Sequence, residues 1–465
     1  MDLKTIIKNL TGNNNTPDNQ HPLTDYHPKV NDPLVTAGVL LQFSTSFIPV
    51  VGGLLSQMVG LLWPQRESVS AWDQVKVQVK NLVDEEIDNE QWQQLEMLIN
   101  EFKEKIAAFS DALNKKHYSY AKDLYTSLTG YFIGVENRFM IDGRLTSYAF
   151  SPLYCLTVAM VTAFRLEVIN HGDKINLAED EIESEKENIK NLLQDGIAWL
   201  KKAESAHNTL IAQALKTSLA HESQNDGVVK FIHALFTKDA YFKMHAFVFI
   251  QFWENQLAPA ASAKPIQIAF PALCAGIFYK QGVAQAVAMS GAEIAQQVTP
   301  QSEEEKIIGL TLYESVESSP QDLRPTGITL TTNSGTSGLG YRGAAGDLQV
   351  SAHPLHCDDT LQEYLQSLSA QEFNFISQLT IATASGTKVA AGHNNGSLVS
   401  LTLPAPYRIA RIYVPDDIVA YTYRQSGHQM AGIACGAVYD NALAAACAGR
   451  YVTQASALSA AASGE

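Results

Sequence analysis

Cysteine is scarce in this chain of 465 residues: there are five, Cys155, Cys274, Cys357, Cys435 and Cys447. An odd number at wide spacing, without a C-x-x-C, excludes a disulfide framework and a zinc finger and reads as free thiols formed in a reducing compartment. Charge is sparse too, at 17% of residues, and positive charge is the scarcer sign. Lys and Arg total 33 against 48 Asp and Glu, and the resulting net −15 repels phosphate backbones, so no nucleic-acid partner is expected. The first thirty residues run polar through Asn13, Asn14, Asn15 and Pro17. They lack a basic n-region followed by an apolar h-region, so synthesis in the cytosol without a secretory signal is the expectation. H-E-x-x-H, G-x-x-x-x-G-K-S/T and G-x-S-x-G are also missing. No catalytic residue, cofactor or metal is assigned, and the chain reads as a non-enzyme.

What is present is apolarity, 46% of the residues, distributed unevenly. The length suggests two or three domains. Pro33 to Gln65 is 33 residues without a charge or histidine, broken at Pro49-Val50-Val51-Gly52-Gly53, which predicts two apolar helices joined by a bend. Ser70 and Asp73 open another helix, with Trp72, Val75, Val79, Leu82 and Ile87 at helical spacing. Leu95, Leu98, Phe102, Ile106, Phe109 and Leu113 alternate steps of three and four, an amphipathic helix. His117 to Met140 is a further helical stretch carrying Tyr125, Leu128, Phe132 and Phe139. Leu145 to Phe164 is twenty residues with no charge, regular from Pro152 onward, and hydrophobic all round. Such a helix is either the hub of a bundle or a membrane span. Asn176 with Glu179 is expected to cap a helix whose inner stripe is Ile182, Ile189, Leu193, Ile197 and Leu200. Val228 to Leu257, rich in phenylalanine, completes the helical half.

Pro259 to Pro265 breaks the pattern and reads as a linker. Beyond it, period-two runs predict strands at Lys306 to Tyr313, Gly327 to Thr332, Phe375 to Ala384, Ser397 to Leu403, Arg408 to Val414 and Ile418 to Tyr423. Short strands with frequent turns suggest an antiparallel barrel, prism or jelly roll. The Ala-rich stretch from Ala442 is ambiguous between strand and helix. Gly338 to Gly343 matches G-x-G-x-x-G, yet its Ser- and Gly-rich surroundings lack the strand and helix that a dinucleotide fingerprint needs, so it reads as turns. His353, His356, Cys357, Asp358 and Asp359 form a metal-like cluster, but adjacent side chains diverge and no second ligand pair stands at a recognised spacing. A polar loop is the expected account.

Several segments resemble the pore-forming helical domain of the three-domain crystal (Cry) δ-endotoxins and, more closely, the B component of the Photorhabdus insect-related (Pir) binary toxins. They are Gly38-Val39-Leu40-Leu41-Gln42-Phe43, Phe47 to Leu55, Leu61-Leu62-Trp63-Pro64, Asn81 to Ile87 and Tyr131 to Phe139. Tyr148 to Val168 stands where that family has its central helix, and His245 to Leu257 where it has its last. Ile376 to Gly392 and His428 to Asp440 resemble parts of the B component's β domain. The resemblance implies an α+β multidomain fold: a polar extension (1–32), a helical bundle around a hydrophobic central helix (33–258), a linker (259–265), an antiparallel β-rich receptor-binding domain, jelly roll or prism-like (266–455), and a frayed tail (456–465). It implies an insecticidal, pore-forming toxin, made in the bacterial cytoplasm and released, that acts on gut epithelial membranes with a small A-type partner subunit and assembles there as a homo-oligomer. A hairpin of His117–Met140 and Tyr148–Val168 would enter the membrane. Its candidate residues are Tyr131, Phe132, Phe139, Phe150, Leu153, Leu156, Val158, Val161, Phe164 and Arg165, with Arg138, Asp142 and Arg144 at its polar ends. Receptor contacts, to a glycan or a protein, are sought in exposed loops at His393, Asn394, Asn395, Tyr407, Tyr421 and Tyr423, whose ordinary alternatives are Asn-Gly turns and cross-strand tyrosines. Two rivals stay open: a carbohydrate- or receptor-binding protein with a non-inserting helical scaffold, and an integral membrane hairpin protein.

Overall fold

A helix that is apolar on every side has no face to turn to water, so its neighbours must enclose it. The structure, a computed structural model, describes residues 32, 35, 36, 39, 59, 89–139, 150–220, 227–280, 287–302, 304–316, 323–340, 350–357, 363–372, 375–394, 396–415 and 430–449. Outside these residues lie most of the two helices expected in Pro33 to Gln65, the helix from Ser70, the strand Ile418 to Tyr423 and the tail. The helical half comprises α1 (Asn89–Asn114), α2 (Tyr118–Phe139), α3 (Ser151–His171), α4 (Glu179–Thr217), α5 (Gly227–Phe242) and α6 (Val248–Leu257). One π-helical turn, Lys243–Phe247, joins the last two. On α1 the three-four spacing buries Phe102, Ile106 and Phe109.

α3 carries proline in its first turn, where no intrahelical N–H is needed, and is buried without a break from Ser151 to Arg165. Its rings touch in several directions. Phe164 meets Phe109 of α1 at 4.7 Å and Tyr125 of α2 at 6.4 Å between centroids. Tyr154 meets Trp199 of α4 at 4.6 Å and Trp253 of α6 at 6.3 Å. Cys155 donates to Ala246 O in the π turn at 3.5 Å. α4 starts differently from expectation: Ala178 N donates to Glu181 Oε2 at 2.8 Å, while Asn176 sits at φ +56°. The chain must reverse sharply after α3, closing Leu177 N on Gly172 O at 2.9 Å, and Asn176 supplies the left-handed residue of that reversal.

Among the described residues the β half forms three antiparallel sheets, ordered β1-β11-β10, β4-β3-β2-β5 and β8-β7-β6-β9. Their strands are β1 (Ala269–Gly276), β2 (Ile307–Val316), β3 (Leu323–Thr332), β4 (Gly335–Gly340), β5 (Val350–His356), β6 (Leu365–Glu372), β7 (Ile376–Thr383), β8 (Lys388–Gly392), β9 (Ser397–Thr402), β10 (Tyr407–Tyr413) and β11 (Gly432–Tyr439). Three sheets packed on one another make the arrangement prism-like. A short helix, α7 (Gly291–Val298), and a helical stretch at 441–449 flank the first sheet. β1 and β11 escape the period-two test because both faces are covered: α5 packs along β1 and α7 against β11. Two loop expectations are corrected. Gly338 to Gly340 lie on edge strand β4, and His353 and His356 lie on edge strand β5, where Pro354 is tolerated because an edge can spare an N–H.

The end of the expected linker and the backbone just beyond it are tied down by three side-chain amides that each imitate a strand neighbour. Asn255 pairs with Lys264 N and O at 2.9 and 2.7 Å, Gln251 with Gln267 N and O at 2.7 and 3.1 Å, and Asn441 with Ile266 N and O at 2.9 and 3.0 Å. One buried apolar cluster crosses this junction, and Phe252 of α6 meets Tyr439 of β11 at 5.8 Å. Gly196 on α4 lies flat against an aromatic ring: a Cβ there would stand 2.7 Å from the Trp253 ring and 3.3 Å from the Tyr154 hydroxyl. Gly196→Ala should therefore lower the unfolding free energy by about 1 kcal/mol, as overpacking of about 1–3 kcal/mol exceeds the helix-propensity gain of about 1. Gly130→Ala on α2, where nothing lies within 4 Å of the new methyl, should raise it by up to about 1 kcal/mol. Denaturant unfolding of the two variants checks the opposite signs.

Candidate membrane-active site

Among the described residues, α3 is the one helix long and apolar enough to cross a membrane, and most of it is buried. Phe150, Leu153, Leu156, Val158, Val161 and Phe164 all face the core. Tyr131 on α2 is half-buried against the same core, with Lys105 Nζ 5.6 Å over its ring. Phe132 and Phe139 belong to α2, but their side chains lie outside the described residues, as do those of Arg138, Asp142 and Arg144.

Arg165 is the cation on α3, and it is 6% exposed. Its guanidinium pairs with Glu185 of α4, which is 2% exposed, through Nη1 and Oε2. The other carboxylate oxygen, Oε1, accepts from the Tyr125 hydroxyl of α2 at 3.0 Å. A single carboxylate thus joins α2, α3 and α4 in a dry site. Glu167 is buried too, and pairs with His171 one turn on at 3.3 Å. Glu185 was not singled out from sequence, although the signal was there: it falls between Ile182 and Ile189 on the apolar stripe of α4, where a carboxylate is out of place. Removing one partner of a buried pair costs about 3–5 kcal/mol because the other is stranded. Glu185→Leu alone should lose stability of that order, while Arg165→Met with Glu185→Leu should recover most of it, as a double-mutant cycle in denaturant will measure.

A second buried charge group lies at the seam of α4, α5 and the π turn. His207 donates from Nε2 to Asp239 Oδ1 at 3.1 Å, and Lys243 donates to Asp239 Oδ2 at 2.7 Å. The His207 ring packs against both Phe242 and Phe247, at 5.0 and 5.4 Å between centroids. Burial lowers the pKa of His207 in spite of Asp239. Burial alone would raise Asp239, but the Lys243 ammonium and the His207 ring hold it below its usual value. The unfolded chain therefore takes the His207 proton first, and stability should fall as pH drops below about 6.5 toward the lower folded value. Asp239 adds a further loss only below about pH 3.9. In His207→Gln the slope of stability between about pH 6.5 and the region where carboxylates titrate should flatten, as thermal unfolding across that range will read.

The receptor candidates do not gather. His393 is half-buried and donates from Nδ1 to Leu323 O at 3.0 Å, and Asn394 is exposed. Asn395, Tyr421 and Tyr423 lie outside the described residues. Tyr407, expected in an exposed loop, is instead fully buried on β10. It stands opposite Tyr439 in the β10–β11 register and packs on Phe270 at 5.7 Å, which makes it a cross-strand tyrosine of the core. In the metal-like cluster His353 donates to Glu314 Oε1 at 2.9 Å, and Gly392 N donates to Glu314 Oε2 at 3.0 Å, which ties β5, β2 and β8 together. Neighbouring His356 is exposed while Cys357 is buried, so the strand alternation sends them to opposite sides.

Residues 40–231 match the family of delta endotoxin N-terminal domains. No curated protein matches the chain. The crystal structure of PirB is similar over 87% of this chain and 94% of that one, with a TM-score of 0.62 at 18% identity. The insecticidal delta-endotoxin Cry8Ea1 of Bacillus thuringiensis aligns with 88% of this chain and 73% of its own, with a TM-score of 0.59 at 12% identity. A Cry1Da tryptic core variant from the same species gives 0.61 at 11% identity over the same shares. Residues 40–231 therefore match the delta endotoxin N-terminal domain, and the chain is PirB-like in fold from its helical half through its β sheets.

Proposed function

We propose that this protein is an insecticidal pore-forming toxin of the Pir B type. Its β half binds the target epithelial cell, through a glycan or protein receptor, and a hairpin of α2 and α3 then enters the membrane, with a small A-type subunit as partner and further copies assembling the pore. The observation that carries this reading is α3 itself, a membrane-length apolar helix kept from water by every neighbour in a domain that matches the delta endotoxins. Helices can enter lipid because they satisfy their own backbone hydrogen bonds. α2 is the hairpin's natural second arm, since it precedes α3 in the chain and packs on it through Tyr125 and Phe164. For the pair to leave, Arg165 and Tyr125 must both release Glu185, which stays on α4.

The burial of α3 from Ser151 to Arg165 also favours a second reading, in which the bundle is a scaffold behind a receptor-binding β half and never inserts. Immobilisation separates the two. Phe109 and Phe164 mark where α1 faces α3, and cysteines at flanking positions whose Cα atoms lie within about 7 Å, in a Cys155→Ala background, would lock the sheath. The oxidised protein should fold and bind cells yet fail to release dye from vesicles, and reduction should restore release. Equal leakage from the oxidised and reduced forms would leave the scaffold reading in possession.

A further inference from the structure

Asp32 is far from the rest of the helical half in sequence and is buried against it. Its Oδ2 accepts from His245 Nε2 at 2.8 Å, and its Oδ1 accepts from Val35 N at 3.2 Å, starting the short helical stretch that holds Val35, Thr36 and Val39. All four side chains are buried. They reach both halves of the molecule. Val35 joins the main apolar cluster, while Val39 forms a separate small cluster with Cys447 and Ala448 from the helical stretch at 441–449, against Ala405. The Asp32 charge also acts on Tyr241 of α5 and on Tyr407 of β10, adding to the effect of burial in raising both hydroxyls.

His245 belongs to the π turn, a rare geometry often found where function requires an irregular helix. Its Nδ1 bonds Tyr241 O at 2.8 Å, so both ring nitrogens are engaged. The next residue, Ala246, accepts the hydrogen bond from the Cys155 thiol of α3. A path of contacts therefore runs from Val39, packed on the β half, through Asp32 and the π turn, to Cys155 near the start of the sheathed helix.

We propose that Asp32, Val35, Thr36 and Val39 form a clip that fastens the β half to the π turn, and that its release opens the sheath over α3. The inference deepens the pore-forming reading and rests on it for its biological sense, but its physical content is tested without a membrane. Cys155 is fully buried and reports opening directly. Its rate of alkylation by iodoacetamide, resolved by peptide mass mapping from that of the four other buried cysteines, should rise roughly tenfold in Asp32→Ala and in His245→Gln, with helical content unchanged. The double variant should be no faster than the faster single one, because both break the same contact. Because a variant that unfolded the bundle would also label faster, Val39→Cys supplies the converse: a disulfide with native Cys447 should slow Cys155 labelling below the reduced form of the same protein. Unchanged Cys155 labelling in these proteins, failure of that disulfide to form, or an equal rise at all five cysteines would each overturn the clip. Vesicle leakage measured in parallel keeps the two claims apart: opening without leakage preserves the clip and removes the pore.

Discussion

Everything in the helical half answers to one constraint, that α3 has no side it can show to water. Its uninterrupted burial from Ser151 to Arg165 requires neighbours on all sides, and α1, α2, α4, α6 and the π turn supply them. The same constraint explains the glycine at 196, where the Trp253 ring must lie against the α4 backbone to close one flank. It explains as well why Arg165 is paired across helices: an uncompensated charge here would cost several kcal/mol, so Arg165 finds Glu185 of α4, whose other oxygen accepts from Tyr125 of α2.

The two halves are joined more tightly than their compositions suggest. Pro259 to Pro265 has the make-up of a free linker, yet the backbone beyond it is held on one side by Asn255 and Gln251 of α6 and on the other by Asn441. Each amide offers one donor and one acceptor, which is what an extended backbone residue needs from a strand neighbour. With α5 lying along β1 and Phe252 against Tyr439, a force on the first sheet is delivered to the last helices without slack. Packed interiors transmit such displacement because they have little free volume in which to absorb it.

The helices were legible wherever periodicity met a complete apolar stripe, as on α1, or a wholly apolar run, as on α3. The strands were legible where one face is wet: the alternating burial of β6 and β7 is the pattern that a period-two test detects in principle, although only β7 was marked. β1 and β11 were hidden because sheets covered on both faces lose alternation, and β4 because a Gly- and Ser-rich edge strand has the composition of a turn. Tyr407 shows the limit for binding residues. A tyrosine directly after Pro404-Ala405-Pro406 reads as a loop, and only the cross-strand partner Tyr439 reveals it as core. The Glu185 junction and the Asp32–His245 contact depend on pairs 20 and 213 residues apart, which no local pattern contains.

The position of Arg165 bears on how α3 could ever leave. It stands six residues before the end of the helix, about 9 Å along the axis, so in a membrane its long side chain can reach the interface and the cost stays below the roughly 3 kcal/mol of a central charge. Within the bundle the same side chain has no water to reach, and parting from Glu185 strands two charges at once. The pair is therefore dearest to break while the sheath is dry and least costly once water has entered between α3 and α4. A helix forced out of the closed bundle would meet the full penalty, whereas one released after its sheath has parted would not, so opening must come before insertion.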